Sequence, residues 1–273
     1  MSQFSKTDKS ALIRKGEPVE ELGLIFYPIQ MHHYEEFLMC KDALSLRLST
    51  LPVKYAVKDY LNAIFGLELD SLKFKSKNVG LVTRIITLFL RSLRIECTIK
   101  EFIEKNITFK KISDSEFEIE NLKVVQNNKA VEISAMEFST KIRTLIAEQN
   151  GVELPEENLN SDLVKGKEEL LELNSSKTKL NTSIDSLISS VAYNSHVREA
   201  EINEWTVREF ENRKKAIERD KRYMLYGQAE MGGMVTFKKG NPYPSWCYDS
   251  IDESMGTMST SELAAQNGNV GIK

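Results

Sequence analysis

Residues 107–134, ITFKKISDSEFEIENLKVVQNNKAVEIS, decide the fold class, because this is where the periodicity of the chain changes. The runs ITFKKIS, SEFEIEN, LKVVQ and KAVEIS are rich in β-branched and aromatic residues. They break at Ser113-Asp114 and at Asn127-Asn128, so the stretch reads as a small β meander. Apolar residues on either side follow a helical period instead. Upstream, VGLVTRIITLFLRSLRI (79–95) is apolar nearly all round, with Arg84, Thr87 and Arg91 as a narrow polar strip, which predicts a buried helix central to its domain. Thr98 with Glu101 forms a capping box for a short helix ending near Asn106. Downstream, Ser134 with Glu137 caps a helix over 135–150, and Gly151 supplies its stop. The fold class that follows is mainly α with a small β meander (α+β).

Further upstream, LGLIFYP (22–28) reads as a short strand ended by Pro28. Ile29, His33, Phe37, Cys40, Leu44 and Leu48 then recur at steps of three and four, which predicts one continuous helix. Ser49 or Thr50 can cap a second helix that carries Pro52 in its first turn and an apolar face of Val53, Val57, Leu61 and Ile64. Residues 1–20 show no such pattern and read as a flexible N-terminus. They also lack the apolar core of a signal peptide, so secretion is not expected.

Beyond Gly151 the texture shifts. From Glu148 to Glu172 there are eight acidic and two basic residues, and residues 151–179 read as an acidic linker or exposed helix closing an N-terminal α+β domain over 21–150. Residues 180–248 read as a C-terminal helical hairpin module. Its first helix carries Leu180, Ile184, Leu187, Ile188 and Val191. Its second starts after Trp205 with a Thr206–Glu209 capping box, and Phe210, Ile217, Met224 and Met231 repeat every seven residues as one apolar seam. The connection near Asn194–Glu204 favours an antiparallel pair with Trp205 at the hinge. Pro242, Tyr243, Pro244 and Trp246 form an aromatic elbow. Residues 249–273 have few large apolar groups and read as a disordered tail.

The net charge of −3 argues against a surface built to track a phosphate backbone. Between 208 and 222 the seven basic residues are interleaved with four acidic ones, as on a solvated helix face. Arg84, Arg91 and Arg94 interrupt the most apolar stretch, so no membrane span is expected. Cys40, Cys97 and Cys247 are widely spaced and odd in number, which fits a reducing compartment.

No stretch has the residue types and spacing of a catalytic centre, so the expected function is non-enzymatic, with no cofactor and no metal. His32, His33, Glu36 and Cys40 come nearest to a metal cluster, but they fall short of the four ligands of a closed zinc site. Gly232-Gly233 and Gly240-Asn241, followed or preceded by Lys238 and Lys239, do not match phosphate-loop spacing. The residues expected to meet a partner are Trp205, Phe210, Ile217, Met224, Met231, Tyr243 and Trp246.

LISSVAYNS, WTVREF, RYMLYGQAEMGG and PSW together resemble the C-terminal part of a group of tailed-bacteriophage proteins known as tail assembly chaperones. The run IFYPIQMHHYEEFLMC resembles, more loosely, that group's opening strand and helix. The better match covers about a quarter of the chain; the meander and the tail depart from the pattern. The resemblance implies a protein of the host cytoplasm that holds the apolar tape measure protein soluble while tail tube subunits assemble. A structural tail or connector subunit of the virion and a nucleic-acid-binding regulator remain the competing readings, and self-association is left open.

Overall fold

The computed structural model describes residues 6–74, 80–113, 116–155 and 183–233, together with Asn241, Tyr243, Ser245 and Trp246. The predicted tail (249–273), most of the predicted linker, Leu180, Pro242 and Pro244 lie outside the described residues. The chain divides into two packing units, residues 1–211 and 212–273. The fold is mainly α with a small β meander.

The meander is a three-stranded antiparallel sheet in the order β3 (Ile107–Ser113), β4 (Glu116–Gln126), β5 (Lys129–Ser134). Its register places Leu122 opposite both Ile107 and Ile133. All three are buried, so one face of the sheet joins the core, as the period-two pattern requires. Asn127 and Asn128 connect β4 to β5 with φ of 52° and 62°. A two-residue hairpin turn of this kind needs two left-handed residues, and asparagine tolerates that conformation better than other non-glycine residues.

Helix α5 (Leu81–Leu93) is the centre of the first unit, with ten of its residues buried. Its polar strip is narrower than predicted, because Thr87 is buried and donates to the Thr83 carbonyl at 2.8 Å. Phe89 is fully enclosed, with ring centroids 5.2 Å from Phe138, 6.2 Å from Phe26 and 6.2 Å from Phe102. Four segments far apart in sequence thus meet at one side chain. The N-terminus of α5 is capped from a neighbouring helix, α4 (Tyr60–Phe74). The Glu68 carboxylate accepts from the backbone N–H groups of Gly80 at 2.9 Å and Val82 at 2.8 Å, placing negative charge at the positive end of the helix dipole.

Two side-chain amides complete the sheets. Asn62 donates to the Ile119 carbonyl at 3.0 Å and accepts from the Ile119 N–H at 2.7 Å. β5 pairs only with residues 121–126 of β4, so Asn62 stands where the next strand would continue. Gln126 does the same for Ile25, accepting from its N–H at 2.8 Å and donating to its carbonyl at 3.0 Å. Ile25 lies in β2 (Leu24–Phe26), which pairs with β1 (Val19–Glu21).

Several expectations change. Residues 6–20, read as flexible, contain helix α1 (Lys6–Lys15) and strand β1, anchored by buried Ile13 and Val19. The predicted helix from Ile29 is broken into a 3₁₀ turn (Met31–His33), α2 (Tyr34–Cys40) and a second 3₁₀ turn (Lys41–Ala43). Ile29, Phe37, Cys40 and Leu44 are nevertheless buried. Shared burial, not a continuous backbone, accounts for the stripe. After Pro52 only a single turn, α3 (Val53–Ala56), forms before α4, and Val53 and Val57 are exposed rather than core. Asp59 supplies the cap of α4, accepting from the Asn62 N–H at 3.0 Å. The 135–149 helix forms as expected behind its Ser134–Glu137 capping box, in three parts: α7 (Ala135–Glu137), a π-helical turn (Phe138–Ile142) and α8 (Arg143–Gln149). Ser139 sits in the π turn, and its Oγ accepts from Leu61 N–H at 3.0 Å.

Candidate interaction surface

The C-terminal part of the first unit contains α9 (Ile184–Ser195), α10 (Glu199–Ile202) and the opening of α11 (Val207–Met231). Ser183 caps α9 by accepting from the Ser186 N–H, and Val191 and Ala192 are its buried face. The opening of α11 is held by a backbone clasp. Met31 N–H donates to the Trp205 carbonyl at 2.9 Å, and Val207 N–H donates to the Ile29 carbonyl at 2.8 Å. This makes an isolated antiparallel bridge between Gln30 and Thr206. Ile29 N–H is taken in turn by Asn150 Oδ1 at 2.9 Å.

Side chains reinforce the clasp. Phe210 is fully buried and meets the edge of Tyr34 at a centroid distance of 5.3 Å. The Tyr34 hydroxyl donates to the Glu211 carboxylate, and burial followed by that bond holds the phenol well above its ordinary pKa. Arg208 donates to the Glu148 carbonyl at 2.6 Å. Thr206 caps the helix by accepting from Glu209 N–H at 3.1 Å. What the opening of α11 rests on is therefore the Ile29–Tyr34 segment and the end of α8. The sequence signals for the clasp were weak, since Tyr34 and Glu211 are 177 residues apart.

In the second unit, the remainder of α11 carries a folded-back elbow. Tyr243 hydroxyl accepts from Arg222 at 3.0 Å, its ring lies 4.8 Å from that of Tyr226, and Asn241 donates to Glu230 at 3.0 Å. Arg222, Tyr226 and Glu230 are spaced by four and share one helix face. At 3.6 residues per turn, the line of Ile217, Met224 and Met231 lies about 160° around the helix from that face. Ile217 is half-buried, Met224 is 48% exposed and Met231 is 85% exposed. Trp246 is 63% exposed.

The seven predicted contact residues thus separate into distinct environments. Phe210 is core, and Trp205 is half-buried in the turn before α11 with its carbonyl in the clasp. Tyr243 is committed to the elbow. Met224, Met231 and Trp246 present apolar surface outward.

A cleft of about 230 Å³ in the first unit is lined by His32, His33, Arg91, Arg94 and Glu96 among others. Arg91 holds Glu36 in a two-pronged ion pair at 2.6 and 3.2 Å, and His33 Nδ1 lies 3.7 Å from the same carboxylate. Arg94 stacks its guanidinium 4.0 Å above the Tyr27 ring. Burial, with His32 and Arg91 adding to it against the opposing pull of Glu36, pushes the His33 pKa below its ordinary value. Burial foremost raises both Cys40 and Cys97, which keeps these thiols protonated and poorly nucleophilic. Among the described residues no group of three or more His, Cys, Asp or Glu side chains converges as a metal site would, and no helix is long and apolar enough to cross a membrane.

No family model, no curated protein and no solved structure matches this chain.

Proposed function

We propose that this protein is a non-enzymatic assembly factor of a phage tail, binding the tape measure protein, the tail tube protein or both during morphogenesis. The observation that carries the reading is the seam of α11. The chain uses the Arg222–Tyr226–Glu230 face for its own elbow and leaves Met224 and Met231 turned to solvent. Flexible, polarisable methionine side chains adapt to varied apolar partners, and an amphipathic helix offering such a line suits another helix laid along it. The resemblance of the 180–246 pattern to tail assembly chaperones supplies the partner class.

Co-expression with the tape measure product tests this. The expected result is a rise in that product's solubility and co-purification of the two chains, both reduced by Met224→Glu with Met231→Glu. Unchanged solubility together with no co-purification would overturn it. Mass spectrometry of purified particles separates assembly factor from structural subunit, since stoichiometric copies in the virion mean the latter.

A further inference from the structure

The clasp that holds the opening of α11 is made by residues on both sides of two adjacent histidines. Ile29 and Met31 contribute its backbone bonds, Tyr34 contributes its aromatic and hydroxyl contacts, and His32 and His33 lie between them. The two imidazole rings are 4.1 Å apart. We propose that His33 is a proton-operated latch: its protonation loosens the Ile29–Tyr34 segment and releases Trp205–Glu211 from it.

The charges around the pair give the latch its direction. Facing it are Glu36 from α2, Arg91 from α5, Arg94 at the C-cap of that helix, and Glu96 just beyond. Two arginines balance two glutamates while the imidazoles are neutral. Glu36 is already engaged by both prongs of Arg91, so its capacity to compensate a third cation is limited. Protonating His33 would add a positive charge beside Arg91, whose field already opposes it, and like charges at close range repel. The αL conformation of Arg94, φ 55°, and its stacking on Tyr27 fix the second guanidinium at the cleft, leaving it little room to withdraw.

The sign follows from the lowered pKa of His33. Above the ordinary histidine value both the clasped and the released states are neutral and the clasp is at full strength. As pH falls below that value the released segment takes up a proton first, so release is favoured increasingly until the lowered clasped-state value is passed.

The inference is independent of the functional reading above and is tested by hydrogen exchange on the full chain. The amides of Met31 and Val207, both donors in the clasp, are followed between pH 7.5 and 5.5 after correction for intrinsic exchange. Their opening should rise about threefold on acidification, the scale set by one or two partly exposed like-charge contacts. The His32→Gln, His33→Gln double variant should show a flat profile. Circular dichroism at pH 7.5 verifies that it is folded, and His33→Gln alone provides a milder second variant. A wild-type profile that is itself flat overturns the latch. So does a pH response that survives in the double variant, because it would then arise elsewhere. An NMR titration placing His33 at or above the ordinary histidine value overturns it as well.

Discussion

Asn62 takes both backbone hydrogen bonds of Ile119, donating at 3.0 Å and accepting at 2.7 Å. One side-chain amide thereby ends the sheet and ties it to the first turn of α4. Its Nδ2 also donates to Asp59 at 2.8 Å, so the amide belongs to the helix cap and to the sheet at once. Replacing it by leucine leaves a buried donor and acceptor unpaired, at a cost of about 2–4 kcal/mol. Urea unfolding should show a lower midpoint with an unchanged slope.

Gln126 plays the matching part for Ile25, and it also donates to the Leu93 carbonyl at 3.2 Å. Gln126→Ala should cost about 1–3 kcal/mol. Hydrogen exchange should localise the loss of protection to the β1–β2 hairpin, where the Ile25 amide loses its acceptor, more than to β4, whose bonds to β5 remain.

Along α11 the heptad line changes character within about four turns, and truncation should trace the change. Phe210→Ala empties a fully buried site and should destabilise the first unit by about 3–5 kcal/mol. Met224→Ala, on the exposed part of the same line, should stay within about 0.5 kcal/mol. Thermal melts of the two variants make the comparison. Equal losses would mean that Met224 is covered by something beyond the described contacts.

The capping box at Ser134 sets an acid limit. Glu137 is held below its ordinary pKa first by the Ser134 backbone N–H, then by the Ser134 hydroxyl, with Lys141 contributing less. A depressed carboxylate contributes stability above its ordinary value of 4.5 and loses it as pH falls through the lowered one. Melting temperatures measured from pH 6 to 3.5 should therefore fall less steeply in Glu137→Gln than in the wild type. Ser134→Ala should cost about 1 kcal/mol at neutral pH through loss of the cap.

What could be read in advance was whatever is specified locally. The capping boxes Thr98–Glu101 and Ser134–Glu137, the Asn127-Asn128 turn and the buried helix at 81–93 all depend on residues within a few positions of one another. The misreadings have a common origin. Val53 and Val57 have the spacing of a core face but lie on and at the end of a single turn that stops before the Asp59 cap of α4. Residues 6–20 show no strong period, and their order derives from contacts such as Ile13 and Val19 in the core. At the candidate surface the seam was visible as a seven-residue repeat. Burial of its first member was not, because the Tyr34 ring that covers Phe210 comes from the other end of the chain.

The Asn127-Asn128 turn also imposes an order of assembly. It closes a loop of two residues, so the β4–β5 hairpin can form on a timescale of about 1–10 μs. The Asn62–Ile119 and Gln126–Ile25 bonds span 57 and 101 residues, and each must wait for a much larger loop to close. On a chain emerging N-terminus first, β2 therefore leaves the ribosome long before the glutamine that fastens it. The hairpin is the template, and the first strands to be synthesised are among the last to be secured.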